Sequence, residues 1–168
     1  MRYGYGRVLL GLAATAVGGG GFHSLDAQAR AIPACSLLSK TDVAGVTRRT
    51  QFTDPDLTAL AGGGSACTFD NAQLVLFSGA NSDDLWNAYL KNFGHQNDTR
   101  HPVSGIGDGA YYFYPKPRDE YEGVNAVVVA HVGQHTLAVS VEAEQGNSAD
   151  SVQPQALALA KMVWAKLR

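Results

Sequence analysis

Trp86, Tyr89, Leu90 and Phe93 fall at i, i+3, i+4 and i+7, a spacing that gathers them on one face and predicts a helix over 82–93. Asn81 or Ser82 stands where a cap belongs, Asp83 and Asp84 sit in the first turn, and Gly94 follows the last periodic position. A second helix is predicted over 151–167, with Leu157, Ala160, Trp164 and Leu167 on one stripe and Pro154 confined to its first turn. A third, short one begins after Ser39, a suitable N-cap, with Asp42 placed to favour the helix dipole and Gly45 weakening its middle. Between the helices the period changes to that of strands. Residues 65–69 and 73–78 read as two strands joined by Asp70-Asn71-Ala72, and 124–131 and 135–142 as two more. Gly133-Gln134 between the latter pair suits a type II′ turn, so that Val132 pairs with His135 and His131 with Thr136.

The stretch His101-Pro102-Val103-Ser104-Gly105-Ile106-Gly107-Asp108-Gly109-Ala110 leads into the aromatic strand Tyr111-Tyr112-Phe113-Tyr114. Its glycines superficially match a dinucleotide fingerprint. That motif follows a strand and opens a helix, whereas these glycines precede a strand, so the phosphate reading fails. Glycine and aspartate in alternation instead supply positive φ in a tight turn. From Thr47 to Gly64 the pattern dissolves into polar residues, and the expectation is a long loop with at most a short strand near Gln51 and Phe52. Residues 116–123, with Pro117 and five charges, read as a solvated hairpin loop, and Asn97-Asp98-Thr99 is a glycosylation sequon.

These elements predict one α+β domain over 30–168: a curved antiparallel sheet of five to six strands with the 82–93 and 151–167 helices packed on one face. A chain of 168 residues, 45% hydrophobic and 17% charged, is long and apolar enough for a core.

The first 29 residues have a different character. Arg2 and Arg7 precede an apolar run from Val8 to Val17, and Ala27-Gln28-Ala29 supplies a small-x-small site. This is the anatomy of a secretory signal peptide cut after Ala29, and the apolar run is too short to span a bilayer. Removing Arg2, Arg7 and Asp26 leaves 11 basic and 14 acidic residues, net −3, with Arg48-Arg49 as the one basic doublet. Nucleic acid is therefore not an expected partner, because nonspecific binding rests on many phosphate contacts. No transmembrane span is expected in the mature chain.

Two cysteines, Cys35 and Cys67, fit an exported protein, periplasmic or extracellular. In an oxidising compartment an even pair most simply forms one disulfide, and their spacing is neither that of a redox motif nor of a zinc site. The alternative is a lipidated Cys35, against which Ile32-Pro33-Ala34 is a poor lipobox and the cysteine lies far beyond the apolar run.

Catalytic patterns are weak. His131 and His135 have helical metal-site spacing but lie on a predicted hairpin, which turns them to opposite faces. His95 and His101, with Asp98 or Asp108, are the other histidine–carboxylate candidates, without zinc-type spacing. Gly63-Gly64-Ser65-Ala66-Cys67 lacks the last glycine of a nucleophile elbow, and Asp119, Glu120 and Glu122 share a charged loop rather than facing one another across rigid elements. No catalytic residue, metal or cofactor is expected.

Cys35-Ser36-Leu37-Leu38-Ser39 with Asp42-Val43, then Ser65-Ala66-Cys67-Thr68-Phe69, then Val103 to Tyr111 with its Gly-Ile-Gly-Asp-Gly-Ala turn, together resemble a group of small exported bacterial proteins, many of them lipoproteins of unknown function. The resemblance implies an α+β domain with an antiparallel sheet and carries no active site.

The functional expectation is a noncatalytic extracytoplasmic binding module for a protein or small ligand of the cell envelope. It presents an open sheet face, the 47–64 loop and the tyrosines Tyr111, Tyr112 and Tyr114, since alternating strand side chains cannot all be buried on one side. The alternatives are an exported hydrolase or metal-dependent enzyme using loop histidine and aspartate residues, and a periplasmic protein inhibitor that uses the 47–64 loop.

Overall fold

The structure, a computed structural model, describes residues 32–79, 81–94, 100–115 and 123–168. The expected signal peptide, His95, the sequon at 97–99, residues 116–122 of the expected hairpin loop, and the side chains of Tyr89 and Phe93 lie outside the described residues.

A short 3-10 turn, Ala34–Ser36, leads into α1, Lys40–Thr47. Ser39 caps α1 as its sequence predicts. Its hydroxyl accepts the Asp42 N–H at 3.0 Å, and the Asp42 carboxylate accepts the Ser39 N–H at 2.9 Å, so two otherwise orphaned donors are satisfied reciprocally. The strands are β1 (Asp56–Leu60), β2 (Gly64–Thr68), β3 (Ala72–Ser78), β4 (His101–Pro102), β5 (Gly109–Phe113), β6 (Asn125–Val132) and β7 (His135–Glu142). The helix α2 (Asn81–Gly94) lies between β3 and β4, and α3 (Gln153–Leu167) ends the chain. All seven strands form one antiparallel sheet in the order β1-β2-β3-β7-β6-β5-β4. The fold is α+β.

Seven strands replace the five to six expected, and both edge strands account for the difference. β1 lies inside the stretch read as loop, and β4 is two residues long. β4 is too short to show a period, and in β1 Leu57 and Ala59 alternate with Asp56 and Thr58 over only four residues inside a polar, glycine-flanked stretch. Gln51 and Phe52, where a short strand was expected, are not in a strand.

The helices are not on one face. Val128, Ala130, Val132, Leu137, Val139 and Val141 pack with Ala156, Leu159, Ala160 and Val163 of α3, and with Leu37, Leu38 and Val43 beside α1. Val127, Val129, Ala138 and Phe113, from the opposite side of the same strands, pack with Trp86 of α2. The sheet is thus the middle of three layers. The physical reason is in β6, where Ala126, Val127, Val128, Val129 and Ala130 are all buried: a continuous apolar run needs cover on both sides. On α3 the buried stripe is Ala156, Leu159, Ala160 and Val163, one step round from the expected one, while Leu157, Trp164 and Leu167 pack at its margin. Pro154 does sit in the first turn of α3.

The β6–β7 hairpin keeps its predicted register, with His131 opposite Thr136 and Val132 opposite His135, and Gly133 takes φ 56° at its tip. The glycine-rich corner closes over this tip. Gly105 and Gly107 adopt φ 78° and 59°, Ile106 between them is buried in the main core, and Asp108 donates its N–H to the His131 carbonyl at 2.8 Å. The Asp108 carboxylate accepts the Gly133 N–H at 2.8 Å. Gly109 is already part of β5.

Cys35 and Cys67 are joined by a disulfide that fastens the turn before α1 to β2. A hydrogen bond from the Ala34 N–H to the Ser65 hydroxyl, 2.9 Å, runs beside it.

Candidate functional site

The segment 48–54, between α1 and β1, has no regular structure, yet it is held at almost every residue. α1 ends at Arg48 in the left-handed conformation, φ 56°, which turns the chain sharply out of the helix. Gln51 then enters the protein and is buried. Its amide donates to Asn71 Oδ1 at 2.7 Å, and its carbonyl oxygen accepts the Asp70 N–H at 3.1 Å. Asp70, at the β2–β3 turn, returns the contact: its carboxylate accepts the Phe52 N–H, the Thr53 N–H and the Thr53 hydroxyl. Burial works to raise the Asp70 pKa, but the hydrogen bonds from Thr53 and Phe52 and the charge of Lys40 outweigh it and hold the carboxyl below its ordinary 3.8.

The result is a loop with a fixed backbone and an unburied aromatic. The Phe52 side chain is 85% exposed, and Leu57 on β1 is 50% exposed. Next to Phe52 in the chain, residues 48–51, with Lys40 and Thr41 of α1, line an open concavity of about 560 Å3. Its cations are partly paired: Lys40 with Asp54 at 3.5 Å, an exposed contact worth little to stability, and half-buried Arg49 with Glu144 at 3.3 Å.

The three tyrosines do not share a surface. β5 turns Tyr111 toward the α2 layer, where its ring lies 5.9 Å from Trp86, and Trp86 lies 5.8 Å from His131. His131 Nε2 is 2.8 Å from the Asp83 carboxylate. Tyr112 and Tyr114 turn to the other face. There His101 stacks on Tyr112 at 4.6 Å, Tyr114 lies 5.7 Å from Tyr112, and both tyrosines pack against the main core. All three rings are half-buried. Burial, then a hydrogen bond to the Asp150 carboxylate, pushes the Tyr114 phenol well above its ordinary value of 10.

The described histidines and aspartates considered for catalysis are dispersed. His131 and His135 lie on opposite faces of the hairpin. His135 Nδ1 is 2.9 Å from the Ser78 hydroxyl, and burial lowers its pKa below 6.5. His101 stacks on Tyr112, while Asp108 serves the hairpin tip. Ser82 and Thr136, 3.3 Å apart, are both buried, and Thr136 donates to the Ser82 carbonyl at 2.8 Å. Among the described residues no group of three His, Cys, Asp or Glu side chains is placed to hold a metal ion.

Phe52 and Asp70 were not singled out by sequence. The available signal was a lone phenylalanine in an otherwise polar stretch. The carboxylate that fixes it lies eighteen residues away and has no local signature.

Fold and surface define a disulfide-clasped α+β domain with a rigid, aromatic-bearing loop at one corner. No protein-family model and no curated protein matches the chain. No helix among the described residues is long and apolar enough to cross a membrane.

Proposed function

We propose that this protein is a noncatalytic binding module that works outside the cytoplasm and holds a protein partner through the rigid part of its 47–64 loop. The observation that carries this reading is Phe52, an 85% exposed ring on a backbone pinned by Asp70. An aromatic held in place before contact loses little conformational freedom on binding, which is how an exposed ring becomes an anchor rather than a liability. Because the ring projects outward and does not line a cleft, its complement is a pocket on another macromolecule. A protein inhibitor is the narrower form of the same reading.

Export is part of the proposal. The Cys35–Cys67 bond fits an oxidising compartment. The basic and apolar segments before Ala27-Gln28-Ala29, and the likeness of the 35–43, 65–69 and 103–111 motifs to small exported bacterial proteins, point the same way.

The test compares envelope extracts passed over immobilised wild-type protein and over Phe52→Ala. A stoichiometric partner retained by the wild type and lost from the variant, with both proteins equally stable, supports the reading. Identical retention by both, or a turnover activity that survives the substitution, overturns it.

A further inference from the structure

The sheet has two edges, and they are built differently. β4 is two residues long and ends in Pro102, which has no N–H to offer a neighbouring strand. β1 is five residues long with no internal proline, and its single charge is Asp56 at one end. Four of its residues are exposed and the fifth is half-buried. It is hydrogen-bonded on one side to β2, and no described residue pairs with its outer side. Long uncharged edges are templates for another strand, and folded proteins ordinarily blunt them, as β4 is blunted here.

We infer that a second copy of this chain docks along β1, edge to edge and antiparallel, joining the two sheets into one. The order Asp56-Leu57-Thr58-Ala59-Leu60 can be laid antiparallel on itself about Thr58. A two-fold axis through that residue pairs Thr58 with the other Thr58, Leu57 with Ala59, and Asp56 with Leu60. The two Asp56 carboxylates then fall at opposite ends and never face each other. Leu57 and Ala59, which pair with Cys67 and Ser65, turn to the face that carries the disulfide. Self-pairing therefore sets Leu57 against the other copy's Ala59, with the two leucines diagonal neighbours, and covers the apolar surface that the single chain leaves 50% exposed. On the opposite face two threonines meet directly, a favourable cross-strand pair. The turn that follows β1, Ala61-Gly62-Gly63, carries no side chain beyond a methyl and leaves room for the approaching strand. The contact is isologous and closes on itself, so it yields a dimer rather than a filament.

Sedimentation velocity of the purified, oxidised protein, from sub-micromolar to sub-millimolar concentration, tests this inference. The mass is expected to rise from that of one chain to that of two and stop there. Thr58→Lys and Thr58→Glu each place like charges face to face on the axis, at a position exposed in the single chain. Each variant alone should remain at single-chain mass with an unchanged near-ultraviolet circular dichroism spectrum. Mixing the two should restore the doubled mass. A wild type that keeps single-chain mass at every concentration, a Thr58→Lys protein that still dimerises, or a mixture that stays dissociated would each overturn the inference. The outcome is independent of whether Phe52 holds a partner.

Discussion

The carboxylate of Asp70 accepts the backbone N–H of Phe52, tying an exposed aromatic to the turn between β2 and β3. Together with buried Gln51, this side chain holds the backbone that carries the ring. Asp70→Asn keeps the shape but removes the charge from three hydrogen bonds, and it should cost about 1–3 kcal/mol in urea unfolding. Partner binding should weaken as it does for Phe52→Ala. Phe52→Ala itself should leave stability within about 0.5 kcal/mol, because its ring touches little. If Asp70→Asn binds its partner undiminished, rigidity of the loop is not what the partner uses.

Acid should act through the same carboxylate. Asp70 and Asp42 both have pKa values below 3.8 in the folded protein, so the native state binds fewer protons than the unfolded chain in that range. Their contribution is complete above about pH 4 and is lost as pH falls through the folded values. His135 has the same sign nearer neutrality: its depressed pKa favours folding above 6.5, and the advantage fades as pH drops below it. Thermal midpoints measured from pH 8 downward should therefore fall in two stages, and His135→Gln should remove the upper one.

At the alkaline end the sign reverses. Burial and the neighbouring Asp150 carboxylate keep Tyr114 protonated in the fold, so its stabilising effect is present below pH 10 and lost as pH rises above that. Absorbance at the phenolate band should show one tyrosine that ionises only as the protein unfolds. Tyr114→Phe should delete that late step and flatten the alkaline fall in midpoint.

Reduction of the Cys35–Cys67 bond releases a loop with a sequence separation of 32 residues, a loss of about 3–4 kcal/mol in the chain-entropy treatment. Denaturant titration with and without reductant measures it directly. A Cys35→Ser, Cys67→Ser double variant should match the reduced protein, and a difference below about 1 kcal/mol would show that the clasp restrains little of the unfolded chain.

Gly105 and Gly107 differ in what an added methyl would meet. Both have positive φ, but a Cβ on Gly105 enters open space, whereas one on Gly107 would lie 2.1 Å from the His131 carbonyl oxygen. Gly105→Ala should cost about 1 kcal/mol of backbone strain. Gly107→Ala should cost at least about 3 kcal/mol, because it also separates the corner from the hairpin. Equal costs would mean that the corner shifts freely.

What was legible from sequence was local. The Ser39 cap with Asp42 in the first turn, the Gly133 hairpin and its register, the β2 and β3 strands and the cysteine pairing all have signals within a few residues or follow from simple counting. What escaped depends on contacts distant in the chain. β1 alternates Leu57 and Ala59 with Asp56 and Thr58, but over too few residues to be told from loop without β2 beside it. The burial of Gln51 and the fixing of Phe52 are set by Asn71 and Asp70, about twenty residues on. The placement of the helices on two faces was readable in principle, since Ala126 to Ala130 is apolar at every position. Amphipathic helix patterns alone do not say on which side of the sheet each helix lies. The split of Tyr111 from Tyr112 and Tyr114 follows from strand alternation, but their partners Trp86 and His101 do not.

Lys166, in the last turn of α3, reaches back to the carbonyl of Leu37 at 2.8 Å and to Asp42 at 3.4 Å. The polypeptide therefore behaves more like a ring than a line. Removing the last turn of α3 should loosen the turn before α1 as well as the helix itself.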